Sequence, residues 1–329
     1  MEKKFMTHNK QLKILRERGL IVPTGNPKRV LEKVNYYNLI NGYKDLFIDS
    51  DVPSSIGERY KQGARFSEIH ALYNFDNELK AIILKRLLRI EKTIKSEIAY
   101  VFSERYGHDN YLKIENFDNY NNNSKQEIIK LISSIQSDIA RGLNYRSIGH
   151  YITQHGYVPL WVLTGILTFG RISTFYKLMK QPDRQKVSKI YEIQDNELIS
   201  LLKVLTLCRN KCAHDEILYN FKVKQAISNS KIHTDLNIPT TSGGNPKQGK
   251  QDLFAVIIAI KILINKKEFN KMINEIKHAL ELLEKELHVI SKEDILDKLG
   301  FPNNWEDVKK AALKPKKTKK KETIPNAIK

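Results

Sequence analysis

Apolar residues recur along this chain at three- and four-residue steps, the period of a helix with one face turned inward. The clearest run is Ile69, Leu72, Leu79, Ile83, Leu87, Ile90, Ile94, Ile98 and Val101. It predicts one long helix from a cap at Ser67 to about Arg105, the spine of the fold. Ahead of it the pattern predicts a short helix over 7–19, stopped by Gly19, and a second opened by Asn26 and Pro27 with Asn as its cap. The second is expected to run through Val30, Leu31 and Val34 into the aromatic and amide cluster NYYNLINGY at 35–43. A polar stretch with Pro53, Gly57 and Gly63 joins this N-terminal unit to the spine.

Beyond the spine the pattern predicts an asparagine-rich loop at 116–123, a helix over 124–141 and a short one near 147–154. Pro159 opens an almost wholly apolar helix over 160–169, which Gly170 is expected to break before a helix resumes over 171–180. Leu198, Ile199, Leu201, Leu202, Val204, Leu205 and Leu207 predict a helix over 195–213. Residues 232–251, rich in Pro, Gly and Thr, read as a flexible loop. Their GGNPKQGK string lacks the spacing and the preceding strand of a phosphate loop, which argues against nucleotide binding. Helices over 252–265 and 268–288 complete a bundle, with 291–299 and Trp305 as a cap. Period-2 alternation is absent, so the expected fold class is all-α.

Composition adds a partner to this picture. Lys plus Arg number 56 against 37 Asp plus Glu, a net charge of +19 over 329 residues. Such an excess suggests a polyanion, nucleic acid before membrane. The Lys-rich tail carries part of it, yet the remainder of the chain is still clearly basic, and the tail itself is expected to be disordered. The most apolar run, 253–264, includes Lys261 and is too short to cross a bilayer. With no secretory signal visible, a soluble cytoplasmic protein is expected. The two cysteines, Cys208 and Cys212, exclude a disulfide framework. With His214 they make three candidate ligands on one helix without a second cluster, a poor metal site, and no metal or cofactor is expected.

Two groups of residues invite an RNA reading and a plainer one. Lys85, Arg89 and Lys92 form one stripe on the spine's polar side, either a solvated face or a seat for an RNA backbone. Tyr36 and Tyr37, with Lys44 nearby, either pack their helix against its neighbours or stack on bases.

The candidate chemistry lies at 207–220, LCRNKCAHDEILYN. At about 100° per residue, Asn210 and His214 share a helix face, whereas Arg209 and His214 are about 140° apart. One copy therefore supplies half a site more naturally than a whole one. Two copies across a two-fold axis bring two guanidiniums and two imidazoles to one phosphodiester. An imidazole moves protons near neutral pH, and a guanidinium matches phosphate oxygens and stabilises developing charge, a set suited to metal-free RNA cleavage. Asn210 is placed to hold the imidazole or contact substrate. The plainer reading pairs Arg209 with a neighbouring carboxylate and has His214 cap or pack a helix end.

The string Arg-Asn-x-x-Ala-His followed by Asp-Glu-Ile-Leu-Tyr-Asn resembles the signature of HEPN ribonucleases, in the form carried by abortive-infection (Abi) family proteins of bacteria. NYYNLINGY, FSEIHALYNFDNEL (66–79), RIEKTIKSEIA (89–99), VPLWVLTGILTFG (158–170) and LGFPNNWED (299–307) resemble other stretches of that family, in its order. Asp215 stands where many relatives carry a second His, so a tandem-His role is not carried over. The resemblance implies a HEPN-like helical bundle over 67–300 with an N-terminal helical unit at 1–66, and a cap and tail at 301–329. It also implies a metal-independent endoribonuclease toxin in anti-phage defence, with Arg209, Asn210 and His214 as its catalytic set. The expected partners are RNA, a second copy of the chain and, in some systems, an antitoxin. The alternatives are a non-catalytic RNA-binding protein of this fold, or the partner subunit of a toxin–antitoxin pair.

Overall fold

The computed structural model describes residues 5–53, 55, 57–214 and 216–312. The predicted Lys-rich tail and Asp215 lie outside them. The described residues are helical, with isolated β-bridges but no strand among them. No helix among them is long and apolar enough to cross a membrane.

Helix α1 (His8–Glu17) is capped by Thr7, whose side chain accepts from the Lys10 N–H. Helix α2 (Asn26–Lys33) has Gly25 at its cap, so Asn26 is its first residue rather than the cap. It stops at an extended Val34, and the predicted continuation into 35–43 is broken. Leu39 and Ile40 are both buried, like Leu31. On a straight helix Ile40 would lie about 180° from Leu31, so the chain must turn to bury both. It does so through a π-helical turn, Tyr37–Asn41.

The spine is α3 (Phe66–Tyr106), with Arg65 rather than Ser67 at its cap. The buried Glu68 carboxylate explains the shift. It accepts from the Arg65 N–H at 3.1 Å and from the His288 and Val289 N–H groups at 2.6 and 2.9 Å, satisfying donors at the helix start and in a distant loop together.

There follow α4 (Asn122–Gly142), capped by Asn121, α5 (Arg146–His155), the single turn α6 (Leu160–Leu163) and α7 (Phe169–Leu178). The break expected at Gly170 falls earlier. The Thr168 hydroxyl accepts from the Arg171 N–H and starts α7, leaving Gly170 inside it. Helices α8 (Gln181–Ile190) and α9 (Asp195–Ala213) lead to the motif. The remainder are α10 (Lys231–Asp235), α11 (Leu253–Leu263), α12 (Lys266–Glu284) and α13 (Lys292–Leu299).

Helices α9 and α12 pack along α3, and α7, α8 and α11 pack against α9. Enclosed on so many sides, α9 is largely apolar through its middle, and apart from Lys203 its charged residues stand at its two ends, with Arg209 and Lys211, and Asn210 between them, at the C-terminal one. Helix α11 is apolar all round except at Lys261, for the same reason.

Residues 232–251 are folded rather than flexible, which corrects the expectation from composition. Ile232, Leu236 and Ile238 are buried. His233 accepts from the Ser230 N–H at Nδ1 (3.0 Å) and meets the Gly249 carbonyl at Nε2 (2.9 Å). The Asp252 carboxylate accepts from the Gly249 and Ala255 N–H groups. Three apolar anchors and these hydrogen bonds hold the segment, whose Pro and Gly content limits regular structure to the short helix α10.

Candidate active site

Helix α9 delivers the three motif residues to different surroundings. Arg209 turns to α3, where its Nε lies 3.4 Å from Oε2 of Glu91. Glu91 is buried and also holds Lys95 Nζ at 2.8 Å. Arg209 Nε and Glu91 Oε2 are shielded from solvent but form no well-aligned hydrogen bond, so charge alone pairs them there. No second carboxylate pairs with Arg209 among the described residues. Glu91 lines a cleft of about 880 Å³ with Leu88, Lys92, Tyr100 and Trp161. Three of these are large side chains open to solvent: Leu88 is 48% exposed, Tyr100 68% and Trp161 55%.

His214 ends α9. It has left helical geometry, and its N–H donates to the Asn210 carbonyl as the C-cap. Its side chain is exposed in a cleft of about 580 Å³ that it shares with Tyr37, Asn38, Asn41, Lys211 and Asn220. Arg209 does not line that cleft, and His214 does not line the one beside Glu91. The angular argument from the sequence and the cap geometry agree on this. Asn210 is exposed on α9. Both halves of the plainer reading of the motif are also present: a carboxylate partner for Arg209 and a cap at His214.

The backbone after His214 is held by Asp76, a residue of α3 that sequence reasoning did not single out. This fully buried carboxylate accepts from the N–H groups of Leu218 (3.1 Å) and Tyr219 (2.6 Å) and from the Tyr43 hydroxyl (2.8 Å). Lys80 Nζ lies 3.6 Å away. Burial pushes the Asp76 carboxyl above its ordinary range, and these donors pull against that rise. Asp76 thus ties together α3, the turn at 37–41 and the segment that follows the motif. The Tyr43 ring stacks on Tyr219 (5.5 Å) and meets Tyr73 edge-on (5.6 Å). Gly42 makes the close approach possible, since a Cβ there would stand 3.1 Å from the Ile217 Cδ1. The signal for Asp76 was an acidic residue in step with Leu72, Leu79 and Ile83 on the apolar face of α3.

The residues expected to touch RNA are dispersed. Lys85 and Lys92 are exposed on α3, and Arg89 is exposed with Glu268 at 3.3 Å. Lys44 is largely covered and paired with Glu58 at 2.5 Å. Tyr36 packs against the core, and burial raises its hydroxyl pKa. Tyr37 is 65% exposed and lines the His214 cleft.

A basic groove went unnoticed in the sequence because its residues come from three helices. Lys130 of α4, Arg171 and Lys177 of α7 and Lys203 of α9 line it. Arg171 is paired with Asp138 and Lys177 with Glu127, while Lys130 and Lys203 have no ion pair among the described residues. Lys203, Leu207 and Asn210 fall within about 60° of one another on α9, so the groove's wall leads towards Asn210.

Burial pushes the Cys208 thiol well above its ordinary range, with Cys212 beside it adding to the rise, which leaves it unreactive. Among the described residues no group of three or more His, Cys, Asp or Glu is placed to hold a metal ion.

Compared with known proteins, residues 29–220 match the family model described as Abi-like protein. The matched span takes in the turn at 37–41, the spine, α9 and the segment that Asp76 holds, and it stops short of LGFPNNWED. No curated protein and no solved structure was found to match the chain. With more than half of its length covered by that model, the chain belongs to the Abi-like protein family.

Proposed function

We propose that this Abi-like protein is a metal-independent endoribonuclease of bacterial anti-phage defence, with a site assembled from two copies of the chain. Membership of an Abi-like family suggests abortive infection as the setting. In the reaction, a 2′-oxygen attacks its own phosphorus, the bond to the 5′-oxygen breaks, and a 2′,3′-cyclic phosphate and a 5′-hydroxyl result. His214 moves the proton, Arg209 stabilises the charge gathering on the phosphate, and Asn210 positions the imidazole or the substrate. Glu91 is a positioning residue that holds Arg209 through Nε.

The observation that carries this reading is the separation of Arg209 and His214 into different surroundings of one chain. A second copy supplies what one cannot, and the solvent-exposed Leu88, Tyr100 and Trp161 offer apolar area for it to cover. The basic groove leading to Asn210 offers a path for a phosphate backbone. The Arg209–Glu91 pair favours a second reading, an RNA-binding protein that does not cleave.

Expression of the protein in cells and cleavage of RNA in vitro decide between them. Arg209→Ala and His214→Ala should each abolish toxicity and cleavage, since losing a general acid or base costs roughly 10²–10⁴-fold in rate. Cleavage by the parent should survive EDTA and leave 2′,3′-cyclic ends. Mixing the two inactive variants should restore cleavage, because a mixed dimer keeps one Arg209 and one His214 in trans. Toxicity that persists in both variants would favour the second reading. A fully active monomer would exclude the shared site.

A further inference from the structure

We propose that the cleft beside His214 is a nucleobase subsite that takes an unpaired adenine, read by the side-chain amides of Asn38, Asn41 and Asn220. The inference rests on the ribonuclease reading for its biological sense, but its evidence is the composition of the cleft.

The turn at Tyr37–Asn41 is π-helical, a geometry found disproportionately at functional sites. Burial of Leu39 and Ile40 turns Tyr37, Asn38 and Asn41 outwards, and all three line the cleft. Asn220, from the segment that Asp76 fixes, adds a third amide. None of the three amides has a hydrogen-bond partner among the described residues, although Asn116 and Asn121 elsewhere in the chain do. All three carboxamides are exposed beside an imidazole and an exposed phenol ring, so a base edge can reach them without displacing a hydrogen bond of the protein.

A carboxamide presents an acceptor and a donor side by side, which matches a base edge with a donor beside an acceptor. Adenine has two such edges, N6–H with N1 and N6–H with N7, so amides from two chain segments can engage it together. A pyrimidine can engage only one amide in this way at a time, since uracil has a single N3–H and cytosine a single such edge. On its N7–O6 edge guanine presents two acceptors, which are read best by a cation. The cation of this cleft, Lys211, is engaged by Glu216 at 3.0 Å. The exposed Tyr37 ring supplies a stacking face, as single-stranded RNA recognition requires. The base seated here would belong to a nucleotide flanking the bond that His214 acts on, which makes the cleft a determinant of where RNA is cut.

The test measures binding, so it does not depend on cleavage. The full chain is titrated against labelled single-stranded hexanucleotides that carry 2′-fluoro groups, lack the attacking hydroxyl and differ only at one central base. The adenine oligonucleotide should bind tighter than the uracil and cytosine ones by roughly 5–150-fold, the range expected of one well-made bidentate contact. Asn38→Ala/Asn41→Ala should erase that preference while leaving the melting temperature and the salt dependence of binding unchanged. Asn220→Ala should weaken the preference, and it provides a second probe if the double variant melts early. Equal binding of all four bases by the parent, preference for another base, or a preference that survives these variants would each overturn the proposal. Base preference without any cleavage would leave the subsite standing and remove the nuclease; cleavage without base preference would do the reverse.

Discussion

Replacing Asp76 with Ala should cost more stability than replacing almost any other polar residue of the chain. The carboxylate is the acceptor for two backbone N–H groups, those of Leu218 and Tyr219, neither of which has another partner in the backbone network. Leaving a buried donor without an acceptor costs about 1–3 kcal/mol, so two amount to roughly 2–6 kcal/mol. A domain's whole margin is only about 5–15 kcal/mol. Asp76→Asn keeps one carbonyl acceptor but points an NH₂ at the other donor, so it should lose roughly half as much. Urea denaturation followed by circular dichroism reads both variants, provided the slope m stays at the parent's value. Hydrogen exchange adds a local readout, because the Leu218 and Tyr219 amides should lose protection before the helices do. A loss below about 1 kcal/mol for Asp76→Ala at unchanged m would refute the reasoning, since the two N–H groups would then be finding water.

The basic groove and the buried histidine give two more expectations. Lys130→Ala/Lys203→Ala should lower the slope of log K against log salt for single-stranded RNA by about 0.7 for each phosphate that is no longer neutralised, while Arg89→Ala, whose cation is shared with Glu268, should change it less. Equal slopes for the double variant and the parent would remove the groove from the RNA path. Burial holds the His233 pKa below its ordinary value, so the unfolded chain takes up a proton there before the folded one does. Its stabilising contribution is complete above about pH 6.5 and is lost as the pH falls, by at most about 1.4 kcal/mol per pH unit. The stability difference between the parent and His233→Gln should therefore shrink between about pH 7.5 and 5.5, and a difference independent of pH would contradict the buried neutral ring.

Read alone, the sequence determined the helical class, the spine, the span of α9 and the position of the motif at its end. These are local matters: a three-to-four-residue apolar period and the cap residues act over one or two turns. It also determined that Arg209 and His214 diverge, because helix geometry is known before any tertiary contact forms. Where the local reading failed, long-range contacts had overruled it. Ser67 lost the cap of α3 because Glu68 is claimed by the distant backbone of His288 and Val289, and 232–251 folded because Ile232, His233 and Asp252 found partners. The π-helical turn arose because Leu39 and Ile40 had to reach one core that a straight helix would have denied to one of them. The partners of the motif were least legible of all. Glu91, Asp76, Asn38, Asn41 and Lys130 lie on helices and turns far from α9 in sequence, and only packing against α9 decides which of them meet it. Side-chain spacing specifies what a helix can present, whereas the tertiary fold decides what it is presented to.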